Sequence, residues 1–127
     1  MSPLMCLAVA VYFEARGEPL DGQFAVAEVI MNRVEDSRYP DTVCGVVFEG
    51  RQFSFTHDGK PDRLPKKATR ASKRAKRVAS EVLEGYRLGI TSTHYHTTAV
   101  GPFWADHYDL DGLVGDHLFY TNNTPYR

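Results

Sequence analysis

The chain has 127 residues, 43% hydrophobic, 12% aromatic and 24% charged, which is the size of one domain with one modest core and excludes a disordered or fibrous protein. With 15 Lys and Arg against 16 Asp and Glu, its formal charge is −1. That excludes the strongly basic balance of a dedicated nucleic-acid binder, and no apolar run approaches the ~20 residues of a membrane span.

The spacing of Leu4, Leu7, Ala8, Val11 and Tyr12 predicts a buried helix over 4–15, opened by Ser2-Pro3 and ended at Gly17-Glu18-Pro19. A second helix is predicted over 22–34 with Asp21 as its cap, where Ala25, Val26, Val29, Ile30 and Arg33 share a face. A helical turn follows over 42–48, capped by Asp41 and stopped by Gly50. Gln52 to Phe55 alternates polar and aromatic residues like a strand. A long helix is predicted from Pro65 to Leu88, striped by Ala71, Ala75, Val78, Ala79, Val82 and Leu83. Short aromatic strands and loops are predicted from 91 onwards, notably around 93–96, 102–104 and 117–120. The order implies one α+β domain, 1–127, helical at first and strand-containing later. Cys6 and Cys44 are too few for a disulfide scaffold and read as two small buried hydrophobes, with a single disulfide between them as the alternative.

Glu14 lies among Val11, Tyr12, Phe13 and Ala15 at the C-terminal end of the first helix. Desolvation and the negative end of the helix dipole both favour its protonated form there, which suits a general acid. The bland alternative is an exposed glutamate at a helix end, and Arg16 would oppose the effect if it paired with Glu14. Glu18 is the nearby second carboxylate, either acting on substrate or bonding backbone amides in its turn. His94 and His96 form an H-x-H pair on one strand face with Tyr95 opposite and His107 and His117 downstream, which fits zinc ligation in an amidase or peptidase, or plain hydrogen bonding in a core or cleft. Among the aromatics, Trp104 in its Gly-Pro-flanked loop is the best candidate for exposure and for stacking on a sugar. Gln52 and Ser54 share a face and suit hydrogen bonds to acetamido and hydroxyl groups. Lys66, Lys67, Arg70, Lys73, Arg74, Lys76 and Arg77 carry no acidic residue among them. They form a solvated face, an attraction for anionic envelope polymers, or the binding surface of a non-catalytic wall or nucleic-acid module.

The run from Val11 to Pro19, followed by Gly22 to Ala27 and Asn32-Arg33-Val34, resembles the SleB-type, spore cortex-lytic cell-wall hydrolase family. Tyr39 to Val47, Gln52 to Phe55, Thr93 to Thr97, Pro102 to Ala105 and Gly115 to Tyr120 resemble its remaining blocks in order. The resemblance implies a compact lysozyme-like fold and cleavage between N-acetylmuramic acid and N-acetylglucosamine in peptidoglycan. By position, Glu14 is the catalytic glutamate. A substrate-contacting set of Glu18, Gln52, Phe53, Ser54, Tyr95, His96, Trp104 and Tyr120 goes with it, with no metal, cofactor, nucleic acid or stable membrane insertion, in a monomer. Without a signal peptide or separate peptidoglycan-binding domain, the sequence suggests a phage-type endolysin, made in the cytoplasm and released through a holin to act on the periplasmic or extracellular side.

Overall fold

In a computed structural model, which describes residues 1–49 and 63–123, one apolar helix is wrapped by three others and flanked by a small sheet. Helix α1 spans Pro3–Ala15, and Ser2 caps it by accepting the Met5 N–H at 3.1 Å. Every residue from Cys6 to Val11 is fully buried. A helix apolar on all sides must lie inside the molecule, and α2 (Leu20–Val34), α3 (Val43–Val47) and α4 (Arg70–Leu83) pack against it. Beyond its buried middle, α1 reaches a surface again at its last turn, and Glu14 sits there.

Several boundaries differ from expectation. Helix α2 begins two residues early with Pro19 at the cap position, so Asp21 lies in the first turn and caps nothing. Thr42, not Asp41, caps α3 by accepting the Gly45 N–H at 3.0 Å. Helix α4 is shorter at both ends than the 65–88 span. Thr69 and Ser72 form a reciprocal capping box that starts it. At the other end, Gly85 at φ 114° directs its N–H to Val82 O and that of Tyr86 to Glu81 O, a Schellman stop well before Gly89. Cys6 and Cys44 are not free thiols. They form a disulfide, with Cα atoms 5.3 Å apart, that ties α1 to α3 because both positions fall at the contact of those helices. The strand expected at 52–55 lies outside the described residues.

Strands β1 (His94–Thr97), β2 (Asp109–Val114) and β3 (His117–Thr121) form an antiparallel sheet in the order β1-β3-β2, with Tyr95 opposite Phe119 and Val114 opposite His117. Within the loop expected around Trp104, Phe103–Asp106 is a 3₁₀ turn. Two N–H groups close the turn, Ala105 to Pro102 O and His107 to Trp104 O. Phe119 packs the sheet on Val26 and Val29 of α2.

Three polar residues of α2 fix the approach to β1. The buried Glu28 carboxylate accepts the N–H groups of Leu88, Gly89 and Ile90 at 3.2, 3.0 and 3.4 Å. Asn32 Nδ2 donates to Ile90 O and Ser92 O at 3.0 and 2.9 Å, and Arg33 Nε to Thr93 O at 2.7 Å. These bonds satisfy an irregular backbone segment and set where Tyr95, two residues further on, meets α1. The result is the α+β, lysozyme-like architecture expected, mainly helical with a small antiparallel sheet.

Candidate active site

Tyr95 points from β1 towards the end of α1, and its hydroxyl donates to Glu14 Oε1 at 2.6 Å. Burial raises the Glu14 carboxyl above its ordinary range, outweighing the Tyr95 hydrogen bond and the Arg33 charge, which both pull it down. With Oε1 accepting from the phenol, a proton on Glu14 belongs on Oε2. The Tyr95 phenol is itself held well above its usual range, by burial first and by Glu14 second, so it remains a donor. Arg16 takes no part in this pair. Its guanidinium lies over the Tyr12 ring, 4.7 Å from the centroid.

Glu14 lines an open groove of about 390 Å³ with Phe13, Arg16, Glu18, Thr97, Asp116 and His117. Glu18 is anchored: its Oε1 accepts the Asp116 N–H at 3.0 Å and lies 2.8 Å from His117 Nδ1. The latter approach is too oblique for a hydrogen bond, so Nδ1 is a buried nitrogen without one among the described residues. Gly115 makes this fit possible. Its φ of 59° turns the β2–β3 hairpin, and a Cβ there would stand 3.0 Å from Pro19 Cδ and 3.2 Å from Glu18 Oε2. The hairpin is therefore latched to the link between α1 and α2.

The alternation of β1 sends His94 and His96 away from Glu14. Both face Trp104, at centroid distances of 5.1 and 5.6 Å. His96 Nδ1 lies 2.7 Å from Thr97 O, which makes it the protonated nitrogen and leaves Nε2 to accept from the Tyr120 hydroxyl at 2.8 Å. His94 Nδ1 meets Thr93 Oγ1 at 3.0 Å. Burial, with the charges of Arg33 and Arg38, lowers His94 to about 4. Among the described residues no three His, Cys, Asp or Glu side chains converge as a metal site.

Trp104 is half-buried rather than exposed, stacked on Tyr108 and edge-on to Tyr120; the exposed ring is its neighbour Phe103, at 83%. The structure thus brings Glu14, Glu18 and Tyr95 together, and His96, Trp104 and Tyr120 form an aromatic wall on the opposite face of β1. Gln52, Phe53 and Ser54 lie outside the described residues. Arg33, expected only as part of the packed face of α2, supplies the positive field on Glu14. His117, read in the sequence only as a downstream histidine of the metal alternative, and Thr97 also enter the groove, and both fall in blocks that carry the family resemblance. On α4, Arg70, Lys73, Arg74 and Arg77 line a separate hollow with the exposed Leu20, and Arg77 approaches Glu81 at 3.6 Å.

The model of the Cell Wall Hydrolase family matches residues 17–120, a span that begins just after Glu14. The spore cortex-lytic enzyme of Bacillus subtilis is 47% identical over 89% of this chain and 35% of its own length. That of Halalkalibacterium halodurans is 37% identical over 91% of this chain and 34% of its own. The chain therefore spans about a third of these relatives. Among solved structures, the catalytic domain of the germination-specific lytic transglycosylase SleB from Bacillus anthracis superposes with a TM-score of 0.80 at 32% identity, covering 94% of this chain and 93% of that one. The catalytic domain of the Bacillus cereus SleB protein gives 0.78 at 32%, covering 94% and 89%. Matched by its model over most of the length and by SleB catalytic domains in both fold and sequence, the chain belongs to the cell wall hydrolase family.

Proposed function

We propose that this chain degrades peptidoglycan by cleaving the bond between N-acetylmuramic acid and N-acetylglucosamine as a lytic transglycosylase, with Glu14 as general acid and base. The observation that carries this reading is a half-buried carboxyl with a raised pKa, oriented by Tyr95, at an open groove. A glycosidic oxygen leaves poorly unless protonated. Glu14 Oε2–H supplies that proton as the C1–O bond breaks. The resulting carboxylate then removes the proton from the muramic 6-hydroxyl, whose oxygen closes on C1 to give a 1,6-anhydro end. One carboxylate suffices for both steps. Glu18 supports this route over hydrolysis, since its Oε1 already accepts the Asp116 N–H rather than standing free to activate a water.

Substrate contacts are proposed along the groove and the nearby wall, through Glu18, Tyr95, His96, Trp104 and Tyr120, with Gln52, Phe53 and Ser54 as further candidates. The enzyme acts as a monomer on glycan strands, on the periplasmic or extracellular side of the membrane, where a Cys6–Cys44 disulfide persists. Lysis of a phage host is one setting for this activity, and it would show as lysis of cells that co-express a holin.

The test is turbidity loss with purified peptidoglycan and mass spectrometry of the released muropeptides. Anhydro ends one water lighter than hydrolysed ends are expected, and Glu14→Gln should lower the rate by about 10²- to 10⁴-fold. Hydrolysed ends would overturn the transglycosylase step, and an active Glu14→Gln enzyme would overturn the assignment of the acid.

A further inference from the structure

A second hollow, of about 400 Å³, adjoins the Glu14 groove and shares Phe13 and Arg16 with it. Its wall combines Tyr12, Phe13 and Leu64 with three cations, Arg16, Arg63 and Lys66, and with no carboxylate among the described residues. None of the three forms an ion pair among the described residues. Arg16 is spread over the Tyr12 and Phe13 rings, 4.7 and 5.9 Å from their centroids. Stacking of this kind holds a guanidinium in place while leaving its edge N–H groups for a planar anion. It also places that fork two residues from the proton donor, at the junction of the two hollows.

We propose that this hollow is a carboxylate-binding extension of the active groove, in which Arg16, supported by Arg63 and Lys66, receives a carboxylate borne by the substituent of the muramic residue. The proposal rests on the peptidoglycan reading above. Muramic acid differs from its glucosamine neighbour by an O3 lactyl group, which ends in a free carboxylate or in a peptide that carries carboxylates. A cationic pocket with apolar walls beside the cleavage site suits such a group, and one charge-assisted bond in a partly exposed setting changes kcat/KM by roughly three- to tenfold.

The test compares wild type, Arg16→Gln, Arg16→Lys and the Arg63→Gln/Lys66→Gln pair on three substrates, counting new chain ends by mass spectrometry. The substrates are native peptidoglycan, strands stripped of peptide by an amidase so that only lactyl carboxylates remain, and peptidoglycan with all carboxyls converted to methylamides. Wild type should prefer native to methylamidated material by roughly three- to tenfold. Arg16→Gln should lose that preference by falling on the native substrate alone, with partial recovery in Arg16→Lys. If wild type keeps its preference for stripped strands over methylamidated material, the lactyl carboxylate is the ligand; if it loses it, the peptide carboxylate is. Equal loss by Arg16→Gln on native and methylamidated substrates, or no discrimination by wild type, would overturn the proposal while leaving the cleavage reading intact. Wild type that cuts none of the three would overturn the cleavage reading itself, and this proposal with it.

Discussion

At the Glu14–Tyr95 pair, two influences oppose each other. Burial holds the proton on the acid, and the phenol stabilises the anion that acid leaves behind. Removing the phenol in Tyr95→Phe leaves burial less opposed, so the Glu14 pKa should rise further. In the proposed mechanism the protonated acid is the working form, so the falling alkaline limb of the pH–rate profile should move to higher pH. kcat should meanwhile drop about tenfold or more as the anion becomes harder to form. A limb that moved down instead would mean that the phenol does not stabilise the carboxylate. His94 allows a second test. Its folded pKa of about 4 lies below the ordinary 6.5, so between these values the unfolded chain takes up a proton that the folded chain refuses. Stability from this site is complete above pH 6.5 and lost as pH falls towards 4. His94→Phe should flatten that part of a plot of melting temperature against pH, with His117, also lowered by burial, left to account for a residual slope.

At the level of elements, α2 does more than pack. Glu28 closes three backbone N–H groups of the segment before β1, and Glu28→Ala leaves them to water or to nothing. A loss of about 2 to 3 kcal/mol in denaturant unfolding is expected, together with reduced activity, since the same segment delivers Tyr95. Unchanged stability would show that the segment is held by other contacts. The contrast with α1 shows what a sequence exposes. Helix α1 was legible because its apolar residues recur at helical spacing and Ser2-Pro3 marks its start. Glu28, Asn32 and Arg33 gave no such signal: their partners lie about 60 residues away, and a carboxylate on a helix looks the same whether it meets water or a distant loop. The helix start at Thr69 was missed because Pro65 is also a good opening residue, and only the side-chain exchange between Thr69 and Ser72 distinguishes them.

For the molecule as a whole, the Cys6–Cys44 bond closes a segment of 38 residues between the central helix and α3. A cross-link of that span is worth about 4 kcal/mol through the entropy it removes from the unfolded chain. Cys6→Ala/Cys44→Ala, or reduction, should lower the melting temperature by many degrees, and an unchanged value would mean that the thiols are unlinked in solution. Two cysteines 38 apart carry no geometric information, so only the packing of α3 on α1 brings the pair into view. The candidate site was legible to the same partial extent. The acid was visible in its helix and the alternation of β1 in its letters. The meeting of Glu14 with Tyr95 depends on three helices and a sheet assembling first.

The proposed proton donor and its phenol stand 81 residues apart in the chain. A polypeptide that has emerged from the ribosome only as far as α4 therefore carries the acid without its partner, and no cleft yet surrounds either. The proposed activity therefore waits until the closing hairpin docks, and the growing chain is latent up to that moment.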